Sequence, residues 1–302
     1  MLTRYALLIV NPIAGHYSKR RLHKFVHYLQ QLNWHVFVEP THFKGHGAQL
    51  AQNYINSGTQ LDLIIIGGGD GTISEIAQIL LGQTIPLALF PIGSANVFAR
   101  ELNIDFNDRR NAIMISHYCQ KEIWPAIVSS DQSKTIFIQM LGMGPDGWVV
   151  HNVSTKIKKI FGRAAYVLST FLMILRYKFP EFSIFIDGHS YKINAAIISK
   201  GCFYGGNFQI TAASKQSSKN CDAILFRCNN FYKFGLAFLK LLFCKKNTDH
   251  LEIITAKEII VPASDNIFMQ IDGDVFSAKE IKISISPHPL RLLVPKNNSN
   301  NF

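Results

Sequence analysis

The sequence predicts an α/β domain built on a parallel sheet, followed by a second, mainly antiparallel β-sandwich domain. Three observations lead there. The chain has 302 residues, more than one hydrophobic core usually spans, so two domains with a cleft between them are expected. Up to about residue 125, apolar runs alternate with helical stretches in the β-α-β-α rhythm of a parallel sheet covered on both faces. From about Ile123 onward the runs become short, alternating or β-branched, the spacing of antiparallel strands. The expected division is 1–125 and 126–284, with a strand near 285–295 returning to the first domain and an Asn-rich, unstructured tail over 296–302.

The elements follow in order. Tyr5 to Val10 reads as a strand, Ser18 to Leu32 as a helix, His35 to Glu39 as a strand and Gly47 to Ser57 as a helix. Leu61 to Ile66 is a continuous apolar strand, as burial on both sheet faces requires. Ser74 to Leu81 is the next helix, Pro86 to Phe90 the next strand and Asn96 to Leu102 a helix. Ligands of such a sheet bind beyond the carboxyl ends of its strands. In the second part the strands are Pro125 to Val128, Thr135 to Met140, Phe182 to Ile186, Lys192 to Ser199, Ala223 to Cys228, Leu251 to Val261, Ile267 to Ile271 and Ile281 to Ser286. A helical insertion from Ser154 to Tyr177 interrupts them.

Composition narrows the function classes. With 48% hydrophobic and 17% charged residues the chain suits a packed protein and not a disordered one. The net charge of +11 implies an anionic partner: nucleic acid, anionic lipid or nucleotide phosphate. There is no RNA-binding signature, zinc-finger spacing or basic heptad region, so nucleic acid is set aside. The five cysteines, Cys119, Cys202, Cys221, Cys228 and Cys244, are odd in number and form no Cys-x-x-Cys pair, which fits a reducing cytoplasm. Tyr5 to Val10 is too short for a signal-peptide core, and no apolar run reaches the ~20 residues of a membrane span. A cytoplasmic protein, attached at most to the inner membrane surface, is expected.

The segment Leu61-Asp-Leu-Ile-Ile-Ile-Gly-Gly-Gly-Asp-Gly-Thr72 carries the most chemistry. A buried strand runs into Gly67, Gly68, Gly69, Asp70, Gly71 and Thr72 before a helix. Such a loop lets backbone N–H groups approach phosphate oxygens and aims a helix amino end at negative charge. The charge of Asp70 would repel phosphates, so it serves a magnesium ion, a ribose or a hydroxyl proton. The spacing is neither that of the P-loop nor that of the dinucleotide fingerprint. Pro91-Ile-Gly-Ser-Ala-Asn-Val-Phe-Ala-Arg100 again follows an apolar strand and opens a helix. There Ser94 and Asn96 either offer polar groups to a nucleotide or cap the helix. Val10-Asn-Pro-Ile-Ala-Gly15 ends the first strand in the same way.

Those three segments, in that order, resemble the signatures of the diacylglycerol kinase catalytic-domain family, which includes bacterial lipid kinases and sphingosine kinases. Gln270-Ile-Asp-Gly-Asp274 is similar to that family's Asp-Gly-Glu motif. The resemblance implies a nucleotide-binding α/β domain, a β-rich lipid-binding domain, ATP in the cleft and phosphoryl transfer to a lipid hydroxyl, most simply of diacylglycerol. It further implies that Asn11, Thr41, the glycine loop and Ser94 contact ATP. Asp274 or its neighbour Asp272 would be the proton acceptor, an Asp where the family has Glu. Taken alone, Asp272-Gly273 reads as a hairpin turn.

Bacterial members of the family also hold a structural Mg2+, which the resemblance carries onto the Asp222 carboxylate and the Lys219 and Ile224 carbonyls. Ala223 stands where the family has Gly. Lys156 to Tyr166 and Phe231 to Lys246 mix cations with apolar residues, as a segment docking on an anionic bilayer does, or as core helices with exposed lysines do. The nearest rival enzyme is an NAD kinase, which shares the Gly-Gly-Asp-Gly-Thr loop, but its Asn-Glu motif does not follow. A catalytically silent nucleotide- or lipid-binding module is the rival of another class. Which lipid is used, and the oligomeric state, are not written in the sequence.

Overall fold

The computed structural model describes residues 3–131, 133–152, 176–206, 208–212, 214–244, 247–263 and 267–296. The helix expected from Ser154 to Tyr177 lies almost wholly outside them, with the basic segment Lys156 to Tyr166, and so does the tail beyond Lys296.

The first sheet contains β1 (Arg4–Val10), β2 (Trp34–Pro40), β3 (Leu63–Gly68), β4 (Leu87–Pro91), β5 (Cys119–Ile123) and, from the far end of the chain, β20 (Leu290–Val294). Its order is β2-β1-β3-β4-β20-β5, parallel throughout except for the edge pair β20-β5. Alternate side chains of the continuous apolar strands feed two cores. Leu7, Ile9, Ile64 and Ile66 face α2 (His46–Asn56) and α3 (Asp70–Leu80), through Ala51, Ile73 and Ile76. Ala6, Leu8, Leu63 and Ile65 face α1 (Lys19–Gln31) and α5 (Asp108–Ser116), through Phe25, Leu29, Ala112 and Ile115. The short α4 (Val97–Glu101) follows β4. Ser18 caps α1 by accepting from the Arg21 N–H.

The rest is a sandwich of two antiparallel sheets. One has the order β10-β9-β16-β19-β6-β7, formed by β6 (Ala126–Ser129), β7 (Lys134–Phe137), β9 (Phe182–Ile186), β10 (His189–Ile193), β16 (Glu258–Val261) and β19 (Ile281–Ile285). The other has the order β15-β14-β11-β8-β17-β18, from β8 (Met140–Met143), β11 (Ala195–Ser199), β14 (Cys221–Phe226), β15 (Leu251–Ala256), β17 (Met269–Ile271) and β18 (Asp274–Phe276). Val128, Phe137, Ile184, Ile259 and Ile283 of the first meet Leu141, Met143, Ile198, Ala223 and Met269 of the second in one core. Helix α6 (Pro145–Asn152), the hairpin β12 (Phe203–Tyr204) with β13 (Phe208–Gln209), and α7 (Phe231–Cys244) complete the described elements.

The fold class matches the expectation from sequence, with three corrections in the sandwich. The runs Thr135 to Met140, Lys192 to Ser199 and Leu251 to Val261 are each two strands, and at each break the chain passes from one sheet to the other. Period-two alternation cannot reveal such a crossing, because both halves keep alternating. Side chains hold the breaks instead. The Asp187 carboxylate accepts the Glu258 N–H (2.9 Å) and the Lys257 N–H (3.2 Å) where β15 gives way to β16. Asn194 donates its amide to the Phe179 carbonyl (3.0 Å) between β10 and β11. Helix α3 begins at Asp70, four residues before the expected start, so the glycine loop itself opens the helix.

Replacing Asp187 by Ala leaves those backbone donors without their acceptor at a sheet crossing. Because these bonds are exposed to water, we expect a loss of about 1 kcal/mol in urea denaturation, and roughly half of that for Asp187→Asn, which keeps one acceptor oxygen and tolerates the positive φ of this position.

Candidate active site

A cavity of about 440 Å³ opens at the carboxyl ends of β1 to β4. Strand β1 has β2 on one side and β3 on the other, so the connections leave in opposite directions and a crevice forms there. Each loop contributes: Asn11 and Gly15 after β1, Thr41 and Lys44 after β2, Gly69, Gly71 and Thr72 at the start of α3, Gly93 and Ser94 after β4. Asp274, from the sandwich, completes the wall.

The loops interlock by backbone contact. A Cβ on Gly93 would lie 2.3 Å from the Gly69 Cα, so a side chain there would push the two loops apart. Asn11 donates its amide to the Thr72 hydroxyl (3.1 Å), and the Gly93 N–H reaches the Gly68 carbonyl (3.1 Å). Gly71, by contrast, faces open space. No side chain caps α3, so its first N–H groups point toward the cavity with the positive end of the helix dipole behind them. That is a ready site for an oxyanion.

Of the residues singled out for a nucleotide, Asn11, Thr41, Gly69, Gly71, Thr72 and Ser94 line the cavity. Gly67, Gly68 and Asn96 do not. Gly67 and Gly68 are buried in β3, the first packed beside Val10 and Phe90 and the second against Thr72. Asn96 is buried, adopts a positive φ and donates its amide to the Gly93 carbonyl (2.7 Å), which holds the turn before α4. Asp70 points away as well. Its two oxygens accept the Val97 N–H (3.0 Å) and the Phe98 N–H (2.9 Å). It caps α4 across the sheet edge and fixes the Ser94 loop against the glycine loop.

Asp272 and Asp274 sit side by side in different situations. Asp272 and Gly273 both have positive φ, 47° and 87°, the two-residue turn that joins β17 to β18. The hairpin reading and the motif reading therefore hold together. The Asp272 carboxylate accepts the N–H groups of Ile138, Gln139 and Met140 (each 2.9 Å) and the Ser74 hydroxyl (2.6 Å). Burial pushes this carboxyl up from its ordinary value, and the four donors oppose that by favouring the anion. Asp274 instead is exposed, and its carboxylate meets the Lys44 ammonium at 2.7 Å.

Several participants escaped the sequence reading. Lys44 and Glu75 line the cavity; Glu75 accepts the Gly45 N–H (2.9 Å) and the Ala48 N–H (3.2 Å) and so holds the start of α2. Ser74 had been read only as a helix start. Asp146 accepts from Tyr204 Oη (2.6 Å) and Gln270 Nε2 (2.8 Å), while Gln270 Oε1 receives the Gly273 N–H (2.7 Å). This chain reaches the turn that carries Asp274, and burial pushes the Asp146 carboxyl up. The signal available was Asp146 between Pro145 and Gly147, an acid in an otherwise apolar stretch.

Residues 5–126 match the model of the diacylglycerol kinase catalytic domain. Over that stretch the chain is diacylglycerol-kinase-like. Two Staphylococcus aureus proteins, from strains JH9 and Newman, each named "Putative lipid kinase", are 27% identical over 246 residues, 79% of either chain. The whole fold also has solved counterparts. Two Bacillus anthracis structures, each described as "a putative diacylglycerol kinase", superpose with TM-scores of 0.77 at 22% and 24% identity, over 97% of this chain and 98% of theirs.

The donor set that the resemblance implies for a structural magnesium is partly engaged in this chain. Ile224 is buried mid-strand in β14, paired on both sides with Ile197 and Ile253. Asp222 already accepts the Thr255 hydroxyl (2.9 Å), and the Lys215 ammonium stands 3.8 Å away. The carbonyls flanking Lys219 are taken too. The fully buried Lys200 donates to the carbonyls of Ser218 and Asn220 (2.8 Å each) and of Lys215. Burial pushes Lys200 down to about 8, which leaves it charged at neutral pH. The Lys200 and Lys215 ammonium groups thus stand beside this segment and oppose a divalent ion there. We expect that chelation with EDTA leaves the thermal midpoint unchanged. Lys200→Met, which strands three carbonyls, should cost about 3 kcal/mol in chemical denaturation.

Proposed function

We propose that this protein is a lipid kinase that transfers the γ-phosphoryl group of ATP to a lipid hydroxyl, with diacylglycerol or a related lipid as acceptor. One observation carries the reading: Asp274 lines the same cavity as Gly69, Gly71 and Thr72, although about 200 residues separate them in sequence. An acid and an anion cradle facing one space is what a hydroxyl-directed phosphoryl transfer needs.

The phosphate tail would rest on the amino end of α3, with the Lys44 ammonium beside it, and Asn11, Thr41 and Ser94 would contact the nucleotide. Magnesium would arrive on the phosphates, since Glu75, the other carboxylate of the wall, has both oxygens engaged by backbone N–H groups. It would offset charge on the phosphoryl oxygens. The Asp274 carboxylate takes the proton of the lipid hydroxyl as its oxygen bonds to the γ-phosphorus. The bond from that phosphorus to the β-γ bridging oxygen breaks, and ADP leaves. Lys44 holds Asp274 in the absence of nucleotide and turns to the phosphates in its presence. Asp272, with four donors, is the anchor of the turn and not the base. The partner is a peripheral membrane surface bearing the lipid; no helix among the described residues is long and apolar enough to cross one.

The test is labelled ATP with mixed micelles containing a panel of lipids. Wild type should label a lipid, and Asp274→Asn should lower kcat by about 10²- to 10⁴-fold at an unchanged thermal midpoint. Asp272→Asn should lower the midpoint as well. Label on NAD, or on no acceptor at all, would replace this reading with the NAD kinase or the silent binding module.

A further inference from the structure

Helix α7 carries two apolar faces, and among the described residues only one of them is packed against the rest of the molecule. Ala237 and Leu241 are buried, and Phe234, Phe238 and Leu242 pack on the outer face of the β8-β11-β14-β15 sheet. Tyr232, Leu236, Leu239 and Phe243 are 72%, 43%, 51% and 83% exposed. At about 100° per residue these four fall within a stripe about 60° wide, roughly opposite Leu241. Lys233 and Lys240 both lie along one border of that stripe. Globular proteins seldom present four large apolar side chains in a row to water.

We propose that α7 lies on an anionic lipid bilayer, with the stripe set into the boundary between headgroups and acyl chains and the two lysines against the anionic headgroups. Three observations favour a bilayer over a protein partner. The lysine border complements an anionic surface, in keeping with the net charge of +11. At the foot of the helix, Lys233 joins Lys192 and Arg227 around a shallow depression of about 480 Å³; Lys192 stands 3.8 Å from Glu181 of the same wall and Arg227 pairs with Glu252 (2.6 Å), so Lys233 is the cation there for an anionic headgroup. Third, the inner face of the helix is wired to the turn that carries Asp274. The Phe238 ring packs edge-on against Tyr204 (5.5 Å between centroids), and Tyr204 bonds Asp146, which bonds Gln270, which holds Gly273. The docking face thus abuts the part of the molecule that meets the acceptor, an argument that rests on the lipid-kinase reading.

Flotation with vesicles tests it without recourse to catalysis. The wild-type protein should float with vesicles of phosphatidylglycerol in phosphatidylcholine, release at high salt, and float poorly with phosphatidylcholine alone. The surface variant Leu239→Ser/Phe243→Ser should bind about a hundredfold more weakly, and Lys233→Glu and Lys240→Glu about fivefold each. The stripe variant should still phosphorylate lipid dispersed in detergent as wild type does. Wild type that floats with no vesicle, or a stripe variant that floats undiminished, overturns the proposal. So does a wild-type dimer that the stripe variant converts to monomer in gel filtration, which would give the face to a second copy. Stripe-dependent flotation with no lipid labelled in any assay upholds the docking face and sinks the proposed activity instead.

Discussion

The site depends on one carboxylate. Asp272 bonds the Ser74 hydroxyl on α3 and three consecutive N–H groups at the crossing from β7 to β8. It therefore ties the helix that presents the oxyanion cradle to the sandwich turn that presents Asp274. A half-buried acceptor with four donors is costly to disturb, because losing it takes the partner of all four at once. The turn also has to be a two-residue one with positive φ at both central positions, which Asp-Gly satisfies with little strain. Local turn chemistry, the joint between the two parts and the location of the free acid are thus one arrangement.

Much of this was legible in the sequence. The apolar run before Gly67 declared a strand buried on both faces, and the glycines after it declared a close backbone approach. That approach is partly to other backbone: Gly93 sits on Gly69. Sequence could not assign each glycine, because phosphate contact and loop-on-loop contact ask for the same residue. The partners of Asp70 were hidden for a related reason. An acid beside a phosphate loop invites a metal, while its actual partners, the N–H groups of Val97 and Phe98, belong to a helix that only the fold brings near. Lys44 and Glu75 were invisible because a lone Lys and a lone Glu on loops and helices carry no pattern. The three broken strands were missed because alternation persists through a change of sheet.

Charge inside the sandwich follows a logic of its own. Lys200 is fully buried, yet its ammonium has three carbonyl acceptors from a single loop. An irregular loop with converging carbonyls needs a cation to relieve their mutual repulsion, and a side chain supplies one without a binding equilibrium. The loop also carries Gln216, whose amide donates to the Ile138 carbonyl (2.7 Å), beside the donors that Asp272 receives. The ammonium therefore supports the anchor at second hand.

Asp272 and Asp274 are separated by one glycine and differ in surroundings, and the proposed division into anchor and base rests on that difference. A base must be able to gain and lose a proton and approach a substrate, which a carboxylate saturated by four donors cannot do. An anchor must do neither. The ion pair of Asp274 with Lys44 joins two exposed side chains, and such pairs contribute about 0–1 kcal/mol. A phosphate tail on the cradle offers Lys44 a stronger anionic partner than one carboxylate, so nucleotide binding would detach Asp274 at small cost. The shorter reach of Asp relative to Glu is compatible with this, because Asp272 holds the turn tightly against α3.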